Sequence, residues 1–467
     1  MQTNSIISED SSFRDNRGNI HYYDNRVLRS INHNCKKTFE LILNSKIIDD
    51  SIEQNFLINT TLVDKNELPE YFSKFEYVVE SDLIPFITYP YEWSYEQLKT
   101  AALHHLNFQI FLFQKGFVLR DASAYNIQFI GSKPFFIDLL SIKEYEKGEY
   151  WIGYKQFCEN FLNPLLLGSL KGIYFNNWFK GELEGISTID LNKLLSIKDF
   201  LSLKTIVHVY LQSKLQNNIV NNKKKNSLKK ITSKPFSKKS YLAIITQLRD
   251  WIKNLSFKQE KTIWENYSKD NTYNDLQHNQ KKKIVEEFVQ RTKPKTLIDL
   301  GCNDGEYSNL SLNAGVFNVV GFDFDHKAIS NGFKMSYEEK KNFLPLFLDA
   351  SNPGPNHGWQ QLERKGFIER FKAEALIALA FEHHLVIGKN IPIKKFIEWT
   401  ISISNQGLIE FVPKSDETVQ IMLESREDIF LNYTENEFEK SLKEKAKIIN
   451  KNNISNSERI IFEYKVH

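Results

Sequence analysis

Thr296-Leu-Ile-Asp-Leu-Gly-Cys-Asn-Asp-Gly305, followed by Val319-Val-Gly-Phe-Asp-Phe-Asp325, decides the fold of this chain. An apolar run ends in a carboxylate, Asp299, and a glycine-rich turn. After about 20 residues a second apolar run ends in Asp323. A βαβ unit holds an adenosine-bearing cofactor in this way: glycines let the backbone approach the ligand, and the second acid accepts from ribose hydroxyls. Glycine spacing narrows the choice. A dinucleotide fingerprint reads G-x-G-x-x-G, but Asn303 stands where the second glycine must let a pyrophosphate approach. The continuation predicts strands over 343–349, 375–381 and 407–413, the second of them fully apolar as buried parallel strands require. Glu382-His383-His384 follows at the carboxyl end of that strand, where open α/β sheets place ligands.

Gly301-x-x-x-Gly305 behind Asp299 resembles motif I of the class I S-adenosylmethionine (SAM) methyltransferases. The resemblance implies a Rossmann-like α/β domain with a mostly parallel seven-stranded sheet. It also implies a SAM site drawn from Asp299, Gly301, Cys302, Asn303, Gly305, Asp323, Phe324, Asp349 and Ala350, with Asp349 reaching the adenine amino group. A hydroxyl acceptor would need a base, and Glu382, His383, His384 and Glu410 are the strand-end candidates. The two histidines read equally as the start of a packed helix.

At 467 residues the chain exceeds a usual single domain. A net charge of +3 and 41% hydrophobic residues are ordinary for a globular protein and disfavour a nucleic-acid surface. Cys35, Cys158 and Cys302 lie far apart, which argues for a reducing compartment and against a disulfide framework or structural zinc. Residues 1–15 are polar and no apolar run reaches ~18 residues, so the expectation is a cytoplasmic protein with no transmembrane segment. Residues 213–239 are rich in Asn, Lys and Ser without one acid, and Phe236 is their only aromatic. This favours a solvated linker over a polyanion-binding arm. The expected division is 1–212, a linker over 213–240, and 241–467. Helices over 241–255 and 275–291 are expected to cap the cofactor pocket, and Tyr267 and Tyr273, beyond Trp264, read equally as contacts to its methionine end or as buried packing.

The first half carries its own signature. A helical pattern over 95–115 precedes Leu119-Arg120-Asp121, then Asn126, then Pro134-Phe-Phe-Ile-Asp138. An Asp, an Asn five residues on and a strand-end Asp resemble the catalytic constellation of protein kinases. The resemblance implies an α+β kinase-like domain in which Asp121 orients a hydroxyl while Asn126 and Asp138 hold Mg²⁺ against ATP. Leu119 replaces the usual histidine, and neither G-x-G-x-x-G nor a V-A-I-K lysine is found. An active kinase and an inactive scaffold therefore both stay open. Residues 18–29 read as a hairpin and 75–80 as an edge strand.

Most of both halves resembles a bacterial family of class I SAM methyltransferases related to nodulation host-specificity proteins of the NoeA type. The residues that carry this are 119–126, Phe136-Ile-Asp138, 154–158, 300–305 and 409–416. The resemblance implies methyl transfer from SAM. A carbohydrate or other small-molecule acceptor is favoured by analogy, and nucleic acid is not. Alternatives are a bifunctional kinase-methyltransferase, or an inactive kinase fold recruiting a macromolecular partner. Trp359 and His357, on the loop after Asp349, either stack on the acceptor or anchor the loop.

Overall fold

The computed structural model describes residues 6–214, 216, 237–258, 275–424 and 426–466. Trp264, Tyr267, Tyr273 and most of the lysine-rich segment lie outside the described residues. The first half opens with an antiparallel sheet of β1 (Ile7–Ser8), β2 (Ile20–Tyr23), β3 (Arg26–Ile31), β4 (Thr60–Leu62) and β5 (Tyr77–Ser81), in the order β1-β2-β3-β5-β4. Asp24 and Asn25 turn the β2–β3 hairpin at φ +49° and +59°, a conformation short Asx side chains tolerate. The strand expected at an edge, β5, lies inside the sheet. Val78 and Val79, both buried, face opposite sides, which suits an interior strand.

Helix α1 (Tyr95–Gln114) starts at a capping box between Ser94 and Gln97 and stops before Gly116 at φ +87°. It is followed by two small pairings, β6 (Phe117–Leu119) with β9 (Ile142–Glu144) and β7 (Ile127–Ile130) with β8 (Lys133–Phe136). A short helix, α2 (Asn176–Gly181), comes later. Helix α3 (Lys238–Lys253) packs along α1 rather than over the second half's sheet. Tyr241 stacks on Phe113 at 4.7 Å, and its hydroxyl accepts from Gln109 Nε2 at 2.8 Å.

The second half is built on a seven-stranded sheet of β10 (Thr296–Leu300), β11 (Asn318–Asp323), β12 (Phe343–Phe347), β13 (Ala375–Ala378), β14 (Gln406–Phe411), β15 (Lys447–Asn453) and β16 (Ile460–Lys465). Its order is β12-β11-β10-β13-β14-β16-β15. Strands β10 to β14 are mutually parallel and β16 is antiparallel to both neighbours, so the mostly parallel sheet expected from the sequence is present. Helices α4 (Asp275–Thr292), α5 (Glu306–Asn313), α6 (His326–Glu339), α7 (Glu382–Val386) and α8 (Ile393–Ile403) cover its faces. One apolar cluster runs from Trp93, Leu106 and Phe129 of the first half into Ile298, Phe322, Phe333 and Leu344. Helix α6 lies against α1. The two halves thus share a core. Among the described residues no helix is long and apolar enough to cross a membrane.

Candidate functional site

The carboxyl ends of β10, β11 and β12 converge on Asp323. After β10 the chain turns through Gly301 (φ +78°), Asn303 (φ +51°) and Gly305 (φ +100°) into α5. At Gly305 conformation and space both demand glycine, because a Cβ would run into the Phe343 ring. The Asn303 N–H donates to Asp323 Oδ2 and the Asp325 N–H to Oδ1, each at 2.9 Å. One carboxylate therefore ties the glycine turn to the end of the next strand. Burial pushes the Asp323 carboxyl above its ordinary range, against the backbone donors that pull it down. Phe324, beside it, is 63% exposed. Asp349, past β12, accepts from the Ser351 N–H at 3.0 Å and hydroxyl at 2.6 Å, and Ala350 packs partly buried against the core.

Asp299 and Cys302 sit under the turn instead. Asp299 is buried, accepts from Ser308 Oγ at 2.7 Å, and is pushed by burial up to about 7. Cys302 is buried with its Sγ where a Cβ on Gly321 would be. Both shape the turn from below.

The four acid–base candidates separate by access. Glu382 is fully buried, and its Oε1 accepts from the Val412 N–H at 2.9 Å and the Tyr433 hydroxyl at 2.6 Å. Burial pushes Glu382 up to about 8. Glu410, also fully buried, accepts the Ala380 N–H at 2.8 Å and is ion-paired with Lys281 Nζ at 2.6 Å. Ala380 has φ +49°, so these acids brace a strained turn after β13. His383 is buried and held neutral by burial, its ring 4.2 Å from that of His384. Of the four, His384 alone is partly exposed. Its ring lies 6.4 Å from Phe324, and burial lowers its pKa.

The residues of the kinase-like signature also converge. Asn126 Nδ2 donates to Asp121 Oδ1 at 2.8 Å, while Asp138 is ion-paired with Arg29 at 3.0 Å. Burial, then the nearby Asp138, pushes Asp121 up to about 6. A guanidinium thus holds the acid that would carry Mg²⁺, while the bond to Asp121 uses only the amide nitrogen of Asn126 and leaves its oxygen. The charge of Asp138 is already balanced, which weakens this donor set for a divalent ion. Among the described residues no group of three or more His, Cys, Asp or Glu is arranged to hold a metal. A thermal-shift titration with ATP and Mg²⁺ should leave the melting temperature unchanged. Stabilisation that Asp138→Asn removes would reinstate phosphate transfer.

A curated relative, nodulation protein NoeA of Rhizobium meliloti (strain 1021), is 41% identical over 454 residues, spanning 97% of this chain and 95% of the relative. The chain belongs to the NoeA family. No family model matches it. Solved structures superpose only loosely. The PH0226 protein of Pyrococcus horikoshii OT3 shares 13% identity over 44% of this chain and 99% of that one, with a TM-score of 0.31. A magnesium protoporphyrin IX methyltransferase of Synechocystis PCC 6803 with bound SAM shares 17% over 48% and 96%, also with a TM-score of 0.31.

In this NoeA-family chain several residues of the site were not legible from the sequence: Ser308 beneath Asp299, and Lys281 and Tyr433 beneath the β13 turn. No spacing links them to their partners. Glu382 makes one consequence measurable. Below its ordinary 4.5 the carboxyl is protonated folded or unfolded; between there and about 8 only the unfolded chain ionises, so stability falls as pH rises. Glu382→Gln removes that slope. Melting curves of variant and wild type should diverge in the variant's favour across this window. Parallel curves would mean that Glu382 is ionised when folded.

Proposed function

We propose that the chain is a SAM-dependent methyltransferase acting in the cytoplasm, with its cofactor at the carboxyl ends of β10, β11 and β12. The observation that carries this is Asp323, a strand-end carboxylate bonded to the backbone of the left-handed turn through Gly301, Asn303 and Gly305. The residues present fit the group: an acid for ribose hydroxyls, an open turn for the methionine end, the exposed Phe324 ring for a face of adenine, and Asp349 beside it. Bound SAM would supply a methyl group activated by a sulfonium. The protein then has to hold an acceptor in line and, for a hydroxyl, take its proton. His384 suits that role, because burial keeps its imidazole neutral and it is the accessible member of the candidate set. His383 packs against its ring, and Glu382 and Glu410 brace the turn that leads into its helix.

For the acceptor we favour a carbohydrate or other hydroxyl-bearing small molecule. Trp359, on the loop leaving the β12 edge, is 64% exposed and offers a ring on which a sugar can stack. That exposure speaks against the anchoring role. His357 instead meets the Lys180 carbonyl at 2.8 Å and fastens the loop. The relative's name, nodulation protein, is compatible with a small-molecule acceptor. The first half we take as a kinase-like scaffold without phosphate transfer, its Asp138 being committed to Arg29. Incubating the chain with methyl-labelled SAM and oligosaccharide pools tests the reading. Trp359→Ala should cut transfer about tenfold, the worth of one ring stack, with SAM affinity and melting temperature unchanged. Equal losses in transfer and affinity would remove Trp359 from the acceptor site.

A further inference from the structure

The first half sends one short arch to the edge of the second half's sheet. Gly172, at φ +68°, ends the preceding helical stretch, and α2 begins at Asn176. Asn176 is 2% exposed and its Nδ2 donates to the carbonyls of Tyr91 and Trp93, each at 2.9 Å. Phe175 and Phe179 are fully buried. An arch anchored this firmly holds its remaining side chains in fixed places.

Two of them land where β11 and β12 end. The Tyr174 ring lies on His326 at 3.7 Å and 13°, and His326 lies on Phe347 at 4.0 Å and 8°. Phe347 is the register partner of Asp323. The other face of Tyr174 is covered by Phe257 at 4.2 Å. At the far end of the arch Lys180 Nζ donates to the Asn352 carbonyl, just past Asp349. Burial lowers the Lys180 pKa while Asp349 raises it, so the cation and this acid feel one another.

We infer that residues 172–181 form the outer wall of the adenosine end of the cofactor site, with Lys180 and Tyr174 positioning the Asp349 loop and the His326 ring against the ligand. The inference rests on the SAM reading above. Lys180 fixes the carbonyl of Asn352 and with it the direction of Asp349; Tyr174 fixes the imidazole next to the strand that carries Asp323. The first half is thereby a working part of the methyl-donor site, which gives a reason for the shared core.

The test is calorimetric titration of the full chain with S-adenosylhomocysteine and with 5′-methylthioadenosine, which lacks the amino-acid end. Lys180→Ala and Tyr174→Ala should each weaken both ligands by about tenfold, the loss expected from one charge-assisted bond or one ring stack. Lys180→Arg and Tyr174→Phe keep the cation and the stack, and should stay within about twofold of wild type. Losses confined to S-adenosylhomocysteine would overturn the placement at the adenosine end. Wild-type affinity in both alanine variants, with binding lost in Asp323→Ala, would overturn the wall and leave the SAM reading standing. If the wild type takes up neither ligand, the SAM reading itself fails. Should an alanine variant not fold, a loss in Lys180→Arg or Tyr174→Phe would still refute the inference.

Discussion

Asp323→Ala is expected to reduce SAM affinity by more than about 100-fold while the chain stays folded. Two losses combine. The carboxylate would no longer accept from ribose hydroxyls, and charge-assisted bonds of that kind are worth about 1.5–3 kcal/mol each. The Asn303 N–H, bonded to Asp323 at 2.9 Å, would also lose its acceptor, so the turn between Gly301 and Gly305 would no longer be held open. Asp323→Asn separates the two, because one amide oxygen still accepts from Asn303 whereas the charge is gone. Calorimetry should rank wild type above Asn and Asn above Ala. Since burial already raises the Asp323 carboxyl, loss of its charge offsets part of the cost of leaving the Asn303 and Asp325 N–H groups without an acceptor, and the alanine variant should stay folded. Undiminished SAM binding in a folded Asp323→Ala protein would defeat the cofactor assignment.

Legibility in the sequence followed the range of the interactions. Strands β10 to β14 were readable because each is a short apolar run closed by an acid, a glycine or, for β14, Pro413, and Asp323 was readable because its distance from the glycine turn is set by one βαβ unit. Which way a strand-end acid points was not readable. One step along a strand reverses the face, so Glu410 reads as facing ligand when it is bonded to Lys281, a partner more than about 100 residues away. The same holds for Asp299, turned down onto Ser308. Asp121 and Asn126 are bonded to one another, but Arg29, which is paired with Asp138, stands on a separate sheet and carries no motif. The closing hairpin was missed because β15 is polar and largely exposed at the sheet edge, with a bulge between Ile448 and Asn450; a strand built to discourage edge pairing shows no apolar run. Contacts between the halves, such as Lys180 with Asn352, leave no local trace at all.

The strongest such contact is Arg370 with Glu92. Both side chains are 3% exposed, and Arg370 Nη1 donates to Glu92 Oε2 at 3.0 Å while Nη2 donates to Oε1. The fork also reaches the Ile87 carbonyl at 2.6 Å, Nε donates to Lys365 O at 2.8 Å, and the guanidinium lies 4.0 Å over the Tyr89 ring. Glu92 Oε2 accepts the Tyr89 N–H at 2.8 Å as well. Burial acts to lower the Arg370 pKa, but the facing Glu92 outweighs it and the net shift is upward, so the guanidinium stays charged. Such a pair adds little over an apolar replacement, yet removing one partner strands a buried charge at a cost of about 3–5 kcal/mol. Arg370→Ala and Glu92→Ala should each lower stability by that much in urea unfolding. The double variant Arg370→Met/Glu92→Leu should recover most of it, since neither charge is then left alone. Because the pair spans the halves, each single variant should also separate one unfolding transition into two, the halves no longer melting together. Additive losses in the double variant, or a single transition shifted by less than about 1 kcal/mol, would show that the shared apolar core alone couples the halves.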